Sequence, residues 1–268
     1  MKDTALIIFT YQRIESSIEI IEICKKLDFP IFVFHDFSGN EKNLQLQQKL
    51  LSFEAINLTI RKNKFGLKKN LIEGISHVSE KYDKFIVIED DLLISENLII
   101  EFKKQLDLYE PYEDVFEVSS FPFLGENSNS YPVKIPIGTS WLWGSWSKKW
   151  KLFMDFYNKP IKLSIVEKKK LDYNFRYPFS YLYYLDRKNT ISSWAIYKHI
   201  FMFKNNLNCL YFKKGNFAFY TNSSETSTHG DNEIDIGALK DNWKKNLLYL
   251  SKNNRLINFF KFIISCRM

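Results

Sequence analysis

Three consecutive acidic residues, Glu89, Asp90 and Asp91, directly follow the apolar run at residues 85–88. We call these three residues the acidic cluster. Carboxylates that repel one another beside a buried strand need a counter-ion or hydrogen-bond donors. Mg²⁺ and Mn²⁺ prefer oxygen ligands, and a cation held here can also bind a diphosphate. The alternative is that Asp90 or Asp91 caps a helix predicted over residues 92–104. The triplet alone leaves both interpretations open.

Polar residues follow two other predicted strands in the same way. Thr10 and Arg13 come after the apolar run at residues 5–9, and Asp36 comes shortly after the run at residues 31–34. In open α/β sheets, ligands bind beyond the carboxyl ends of the parallel strands. We therefore predict that Asp36 and the acidic cluster share one rim. Donors of Thr10 and Arg13 are expected to face a nucleotide there, with a solvated charge as the alternative for Arg13.

The first half of the chain alternates between strand and helix patterns, which predicts an α/β fold with a mostly parallel sheet and helices on both faces. Apolar runs predict strands at residues 5–9, 31–34, 56–61, 85–88, 115–119 and 209–212. Helical spacing of apolar residues predicts helices at residues 14–27, 44–53, 67–80, 92–104 and 194–203. Residues 151–193 are rich in aromatic residues and lysine but show no clear period.

Composition sets bounds on domains and partners. The chain has 268 residues, of which 45% are hydrophobic and 17% aromatic, which suits one large domain or one domain with an appendage. We predict a domain over residues 1–238, with halves 1–110 and 111–238, and a separate segment over 239–268. The net charge of +7 suits a nucleotide diphosphate, an anionic membrane surface or nucleic acid as partner.

Cysteine usage and hydropathy indicate the compartment. Three isolated cysteines, Cys24, Cys209 and Cys266, offer neither zinc spacing nor a disulfide framework. No run reaches the roughly 18 apolar residues of a membrane span, and the N-terminus does not resemble a signal peptide. We therefore expect a cytoplasmic protein. The basic, partly amphipathic segment 239–268 packs on the main domain as a helix or, over residues 256–264, contacts an anionic membrane.

Several ordered motifs resemble GT-A-fold glycosyltransferases, closest to the N-acetylglucosaminyltransferase I family and its bacterial relatives. The acidic cluster with its preceding strand resembles their metal-binding Glu-Asp-Asp segment. The other matching segments lie at residues 7–13, 63–70, 138–146, 193–195 and 228–229. The resemblance thus runs in order from residue 5 to about residue 230. It implies a GT-A fold, a Rossmann-like mixed sheet followed by a C-terminal helical tail.

The resemblance also implies roles for individual residues. Asp91 would be the direct metal ligand, Glu89 would face the ribose or the donor sugar, and Asp90 would assist through the nucleotide. The residues expected to bind the nucleotide-sugar are Thr10, Arg13, Asp36, Arg61, Asn70, Glu89 and Asp90. For Arg61 and Asn70 the alternatives are a surface charge and a helix-side amide. His229 is expected to complete the metal shell or contact the diphosphate, unless it is simply exposed.

The tryptophan-rich segment at residues 138–146 suits an acceptor sugar, because indole faces stack on sugar rings and glycines allow close approach. The acceptor-side residues predicted here and in the later motif are Trp141, Trp143, Gly144 and Trp194. The alternative is a core cluster, which we favour for Trp150.

An inverting transfer needs a carboxylate base for the acceptor hydroxyl. Relatives carry an aspartate after the later tryptophan, where this chain has Ala195. Asp186, Glu225 and Asp231 remain as candidate bases.

The sequence therefore predicts a metal-dependent, inverting glycosyltransferase, a hexosyl- or N-acetylhexosaminyltransferase with Mn²⁺ or Mg²⁺ as cofactor and a UDP-sugar as the favoured donor. By resemblance to the bacterial relatives, the acceptor would be a surface polysaccharide or a lipid-linked glycan, and the protein would be cytoplasmic and peripheral to the membrane. One alternative is a nucleotidyltransferase, although residues 10–13 lack the glycines of a phosphate loop. The other is a nucleic-acid-binding module, which leaves the acidic cluster unexplained.

Overall fold

The structure is a computed structural model that describes residues 2–120, 132–174, 177–212, 219–220, 261–263 and 266. Its elements follow in the order β1 (Lys2–Thr10), α1 (Ile14–Lys25), β2 (Ile31–His35), α2 (Glu41–Leu51), β3 (Asn57–Ile60), α3 (Leu67–Ser79), β4 (Tyr82–Glu89), β5 (Leu92–Leu93), α4 (Glu96–Tyr109), β6 (Val115–Ser119), β7 (Val133–Ile135), β8 (Trp143–Trp146), α5 (Ser147–Tyr157), α6 (Ile165–Leu171), α7 (Phe179–Arg187), α8 (Ala195–Lys204), β9 (Asn208–Tyr211) and β10 (Phe219–Tyr220).

Eight strands form one sheet in the order β3-β2-β1-β4-β8-β6-β9-β7. Strands β1 to β4 are parallel to one another, and β6 is parallel to β9. Strand β8 lies antiparallel between β4 and β6, and β7 pairs antiparallel with β9. The predicted mixed, mostly parallel sheet is confirmed. A separate antiparallel pair joins β5 and β10.

Helices cover both faces of the sheet, as predicted, because side chains of a strand alternate between its faces. Leu6 and Ile8 of β1 pack in the core beneath α1, α2 and α4. Ala5, Ile7 and Phe9 of the same strand pack in the core beneath α3, α5 and α8. Both cores are continuous along the sheet, which explains the uninterrupted apolar runs in the sequence.

The chain changes direction across the sheet at β1. It moves from β1 to β2 and β3 with α1 and α2 on one face, and α3 on the opposite face carries it back to β4 on the other side of β1. Right-handed crossovers require this change of face when the direction reverses. The carboxyl ends of β1 and β4 therefore flank a topological switch point, where open α/β sheets bind their ligands.

The structure differs from the prediction at one helix and adds helices in one stretch for which no element was predicted. The helix predicted over residues 92–104 begins later, because Leu92–Leu93 pairs with β10 as strand β5 and α4 starts only at Glu96. Residues 151–193, which showed no clear period, contain helices α5, α6 and α7. Their apolar residues meet two different surfaces, the main core and a smaller cluster around Leu171, Tyr183 and Ile200, so no single stripe develops.

Most of the predicted segment 239–268 lies outside the described residues. Within the described part of that segment, Phe262 is buried and Lys261 Nζ lies 5.9 Å from the centroid of the Tyr181 ring. The tail packs on the domain at this point. Among the helices that the structure describes, none is long and apolar enough to cross a bilayer.

Candidate active site

The acidic cluster stands at the switch point between β1 and β4. Glu89 is the last residue of β4 and pairs with Phe9 of the parallel strand β1. The turn that follows β1, from Thr10 to Arg13, therefore lies beside the cluster. This placement agrees with the predicted rim.

Asp90 is buried and holds this turn in place. Its Oδ2 accepts a hydrogen bond from the backbone N–H of Tyr11 at 2.7 Å, and its Oδ1 accepts one from Arg13 Nη1 at 2.7 Å. The Ser16 hydroxyl donates to the Asp90 carbonyl oxygen. Burial raises the pKa of Asp90, and the charge of Arg13 and the Tyr11 N–H oppose that rise. Asp90 thus organises the turn from within the protein.

Glu89 and Asp91 share the remaining negative charge of the cluster. Arg13 Nη2 lies 3.7 Å from Asp91 Oδ2, and the charges of Asp90 and Asp91 raise the pKa of Arg13 although its burial opposes this. The pKa of Glu89 is raised well above its usual range, first by burial and then by the charges of Asp91 and Asp90. Three carboxylates face one guanidinium, and a divalent cation would balance this excess of negative charge.

These donors fit Mg²⁺ or Mn²⁺, which keep several waters and bind through one or two carboxylates and substrate phosphates. Nowhere in the described ranges do three or more His, Cys, Asp or Glu side chains form a group able to hold a metal by themselves. A cation at Asp91 would therefore need ligands from water or from a diphosphate.

The alternative that Asp90 or Asp91 caps a helix is wrong. Helix α4 is capped by Ser95, whose hydroxyl accepts a hydrogen bond from the backbone N–H of Leu98. Residues 92–93 lie between the acids and this cap as strand β5. The acidic cluster is therefore free of a capping role.

Asp36 holds the segment that opens α3. Its Oδ1 accepts hydrogen bonds from the N–H groups of Phe37 at 3.0 Å and Phe65 at 2.8 Å, and its Oδ2 accepts one from Gly66 at 2.8 Å. Gly66 has a φ of +74°, in the region that favours glycine. The carboxylate is buried and engaged by backbone donors, so in this structure it fixes the loop rather than facing open space.

The other residues predicted to bind the nucleotide form hydrogen bonds within the protein. Arg61 Nε donates to Asn70 Oδ1 at 2.8 Å, and Asn70 Nδ2 donates to the Phe34 carbonyl oxygen. Thr10 Oγ1 lies 3.0 Å from Nδ1 of the buried His35. These side chains lie around the same rim, but they contact protein partners.

Sequence reasoning missed Asn43, which is fully buried at the rim. Its Nδ2 donates to the carbonyl oxygens of Tyr11 and Asp36, and its Oδ1 accepts from the Ser38 N–H at 3.1 Å. It therefore joins the turn after β1 to the loop after β2. In the sequence it was one polar residue near the start of a predicted helix, and nothing marked it as buried.

Three of the four predicted acceptor residues lie in the core. Trp143 and Trp194 are buried and stacked, with ring centroids 5.5 Å apart. Gly144 lies in β8, where an added side chain would meet the Phe85 carbonyl oxygen and Leu106. For these three residues, as for Trp150, the alternative prediction of a core cluster is therefore the one that the structure supports. Trp141 is half-buried, and because Trp143 pairs with Val87 of β4, it comes close to the carboxyl end of that strand.

A fully buried ion pair holds the segment that precedes β8. Lys198 Nζ of α8 forms a salt bridge with Glu117 of β6 and donates to the Thr139 carbonyl oxygen at 2.6 Å. Glu117 Oε1 accepts from the Thr139 N–H at 2.8 Å. The lysine ammonium also lies 4.1 Å from the centroid of Trp143. Two charges thus fix both backbone groups of Thr139, close to the acidic cluster.

Asp186 is the candidate base that the described residues include, and it is heavily engaged. Lys68 Nζ donates to both of its oxygens at 2.7 and 3.0 Å, the Ser193 N–H donates at 2.8 Å and the Tyr197 hydroxyl at 2.5 Å. Lys68, Asp186 and Tyr197 line an open groove of about 610 Å³ together with Thr190 and Ser192. Glu225, Asp231 and His229 lie outside the described residues.

Neither the family models nor the curated proteins contain a match to this chain. Solved structures give distant likenesses. A mannosyltransferase from Pyrobaculum calidifontis in complex with GDP-Man and Mn²⁺ is 12% identical over 65% of this chain and 52% of its own, with a TM-score of 0.41. The chain therefore spans about half the length of that enzyme.

Two other likenesses cover more of both chains. Glucosyl-3-phosphoglycerate synthase from Mycobacterium tuberculosis, in complex with Mn²⁺, UDP and glucosyl-3-phosphoglycerate, is 13% identical over 93% of this chain and 80% of its own, with a TM-score of 0.41. The 4-diphosphocytidyl-2C-methyl-D-erythritol synthase from Anaerococcus prevotii is 11% identical over 91% and 96%, with a TM-score of 0.44. Such low values carry no argument about activity, which must come from this chain's own residues.

Proposed function

We propose that this chain is a metal-dependent glycosyltransferase of the GT-A type that uses a nucleotide-sugar donor. One observation carries the proposal: the acidic cluster ends β4 at the switch point of the sheet, beside the Thr10–Arg13 turn, and holds more negative charge than Arg13 balances. A divalent cation would balance this charge, and a nucleotide diphosphate at the rim would complete the ligands of the cation.

In the proposed site, Asp91 holds Mn²⁺ or Mg²⁺ and Glu89 faces the ribose or the donor sugar. The cation, when bound, neutralises charge that develops on the leaving diphosphate. Asp90 positions the guanidinium of Arg13 at 2.7 Å and the Tyr11 N–H, so the turn is fixed before a ligand arrives. Arg13 is then available to exchange part of its contact with the carboxylates for a phosphate oxygen.

The base that takes the acceptor proton is proposed to be Glu225 or Asp231. Asp186 is the weaker candidate, because a carboxylate that already accepts hydrogen bonds from Lys68, Ser193 and Tyr197 has little capacity for an acceptor hydroxyl. We propose an inverting hexosyl- or N-acetylhexosaminyl transfer, with a UDP-sugar as donor and a surface polysaccharide or lipid-linked glycan as acceptor. The remaining candidate contacts, Trp141 and His229, belong to this proposal.

The test is hydrolysis of a panel of UDP-, GDP- and dTDP-sugars with and without Mn²⁺. We expect slow, Mn²⁺-dependent release of the nucleotide diphosphate from at least one of them. Asp91→Asn should abolish it, whereas Asp28→Asn, an exposed acid at the opposite edge of the sheet, should leave it unchanged. Release of pyrophosphate from a nucleoside triphosphate and a sugar phosphate would instead identify a nucleotidyltransferase. Turnover of neither substrate class would contradict the proposal.

A further inference from the structure

The positive charge of the chain is concentrated in one short stretch. Residues 148–170 contain eight lysines and two acids, a net charge of +6, whereas the whole chain carries +7. Lys149 and Lys168 of this stretch are buried, and the other six lysines are exposed. The exposed side chains of this stretch are therefore strongly cationic, whereas the rest of the chain is almost neutral.

Helix α6, at the end of this stretch, has an outward face that is both apolar and cationic. Ile165 and Val166 are each 63% exposed, although a globular domain usually buries such side chains. Lys169 and Lys170 follow them at a spacing of four residues, which puts each lysine next to one apolar side chain. The opposite face of the helix contains Lys168 and Leu171, both buried.

The helix is held so that this face cannot turn inward. Ser164 and Glu167 form a reciprocal capping box at its start, and Glu167 also binds Lys204 of α8 at 2.8 Å. At its end, the fully buried Asp172 accepts hydrogen bonds from the N–H and hydroxyl of Ser180 in α7. The exposed apolar pair is thus presented by a fixed scaffold.

Helix α5, which precedes α6 in the chain, runs from the amino edge of the sheet toward its carboxyl edge. Helix α5 begins at the start of β4, where the Ser147 hydroxyl donates to the Tyr82 carbonyl oxygen. Its last residue, Tyr157, packs with its ring centroid 5.0 Å from that of Tyr197, which binds Asp186. Asp186 in turn binds Lys68 in the first turn of α3, at the carboxyl edge of the sheet. From there the chain turns back toward the amino edge, because Glu167 of α6 binds Lys204, the last residue of α8, shortly before β9 begins.

We propose that Lys159, Lys162, Ile165, Val166, Lys169 and Lys170 form a basic–apolar surface that binds an anionic phospholipid bilayer. The lysines attract anionic headgroups, each contributing about 1 kcal/mol near a charged membrane. The two apolar side chains enter the boundary between headgroups and acyl chains. Nucleic acid would match the lysines but not Ile165 and Val166.

The test is co-sedimentation of the full chain with phosphatidylcholine vesicles that either contain or lack phosphatidylglycerol. We expect binding to the anionic vesicles only, weakening as salt is raised. Ile165→Ser/Val166→Ser and Lys169→Gln/Lys170→Gln should each weaken it about tenfold or more. Leu51, which is 64% exposed on α2, offers the matched control Leu51→Ser, and Lys42→Gln/Lys49→Gln on the same helix controls for charge. Both controls should bind as the wild type does.

Three outcomes would overturn the proposal: equal binding to neutral vesicles, equal loss in the α2 controls, or no vesicle binding while the surface instead binds RNA or a second copy of the chain. Circular dichroism of each variant establishes that it is folded, and a variant that fails to fold is replaced by the single substitution Val166→Ser. The vesicle assay contains no metal or nucleotide. Its result is therefore separate from that of the sugar-nucleotide assay.

Discussion

Neighbouring carboxylates in the acidic cluster have different surroundings and hence different tasks. Asp90 is buried and accepts hydrogen bonds from Tyr11 and Arg13, whereas Asp91 lies 3.7 Å from the same guanidinium and remains half-buried. Glu89 is half-buried at the end of β4, where burial and its two acidic neighbours raise its pKa. Within the acidic cluster, Asp90 is therefore a positioning residue, whereas Glu89 and Asp91 are suited to binding a ligand.

Substitution of Asp91 should separate ligand binding from stability. We expect Asp91→Asn to change the free energy of unfolding by less than about 0.5 kcal/mol, because the lost attraction to Arg13 is offset by lost repulsion from Glu89 and Asp90. Ser95→Ala removes the cap of α4 and should cost about 1 kcal/mol. Urea denaturation measures both. A larger cost for Asp91→Asn than for Ser95→Ala would argue for a structural role of Asp91.

His199 should make the fold sensitive to acid. Burial, and secondarily the charge of Lys198, lowers the pKa of its imidazole to about 3 in the folded state. The unfolded chain binds this proton near pH 6.5, so the stability is complete above that pH and is lost as the pH falls toward 3. Between pH 7 and pH 5, the wild type should lose about 2 kcal/mol more than His199→Gln in urea denaturation. The exposed His77 provides the control His77→Gln, which should follow the wild type.

At the scale of elements, β8 brings a segment from the second half of the chain to the end of β4. Because β8 runs antiparallel and Trp143 pairs with Val87, the residues before it reach the acidic cluster. Leu142 has a φ of +30°, a conformation that L residues rarely adopt. The buried Glu117–Lys198 ion pair holds both backbone groups of Thr139 and so fixes this approach.

Breaking this ion pair should be costly. Lys198→Met leaves Glu117 as a buried charge without its counter-ion and should lower the free energy of unfolding by about 3–5 kcal/mol. Adding Glu117→Gln should recover part of that loss, as a double-mutant cycle would measure. The exposed pair Lys134–Asp114, at 2.8 Å, gives the control Lys134→Met, which should cost less than about 1 kcal/mol. Equal losses of unfolding free energy in Lys198→Met and Lys134→Met would show that the buried pair stabilises the fold no more than the exposed pair does.

At the scale of the whole molecule, one rim of the sheet gathers parts of the chain that are far apart in sequence. The turn after β1, the loop after β2, the start of α3 and the end of β4 meet there through Asp90, Asp36 and Asn43. Strand β10 also returns to this region, because Tyr220 pairs with Leu92 directly after the acidic cluster. A ligand at the rim would therefore contact several elements at once.

A ligand that joins these elements should stabilise the whole domain. With Mn²⁺ and UDP at about 100 times the dissociation constant, binding adds about 2.7 kcal/mol, which raises the Tm by roughly 5–10 °C. Mn²⁺ alone or UDP alone should give a smaller rise, since each supplies ligands to the other. Thermal denaturation measures this, with Asp91→Asn expected to lose the joint effect. Equal shifts for the wild type and Asp91→Asn would contradict Asp91 as metal ligand.

Apolar periodicity and strand ends are local properties. The sequence alone therefore predicted the α/β class, the strands on both sides of the switch point and the position of the acidic cluster. It left open whether Asp90 and Asp91 cap a helix, and it predicted acceptor contacts for Trp143 and Trp194. Tertiary structure decided both, since strand β5 separates the acids from Ser95 and the antiparallel β8 takes Trp143 into the core. It also decided the pairing of Glu117 with Lys198, residues 81 positions apart. Such contacts depend on which strands become neighbours, and no local pattern in the sequence encodes that.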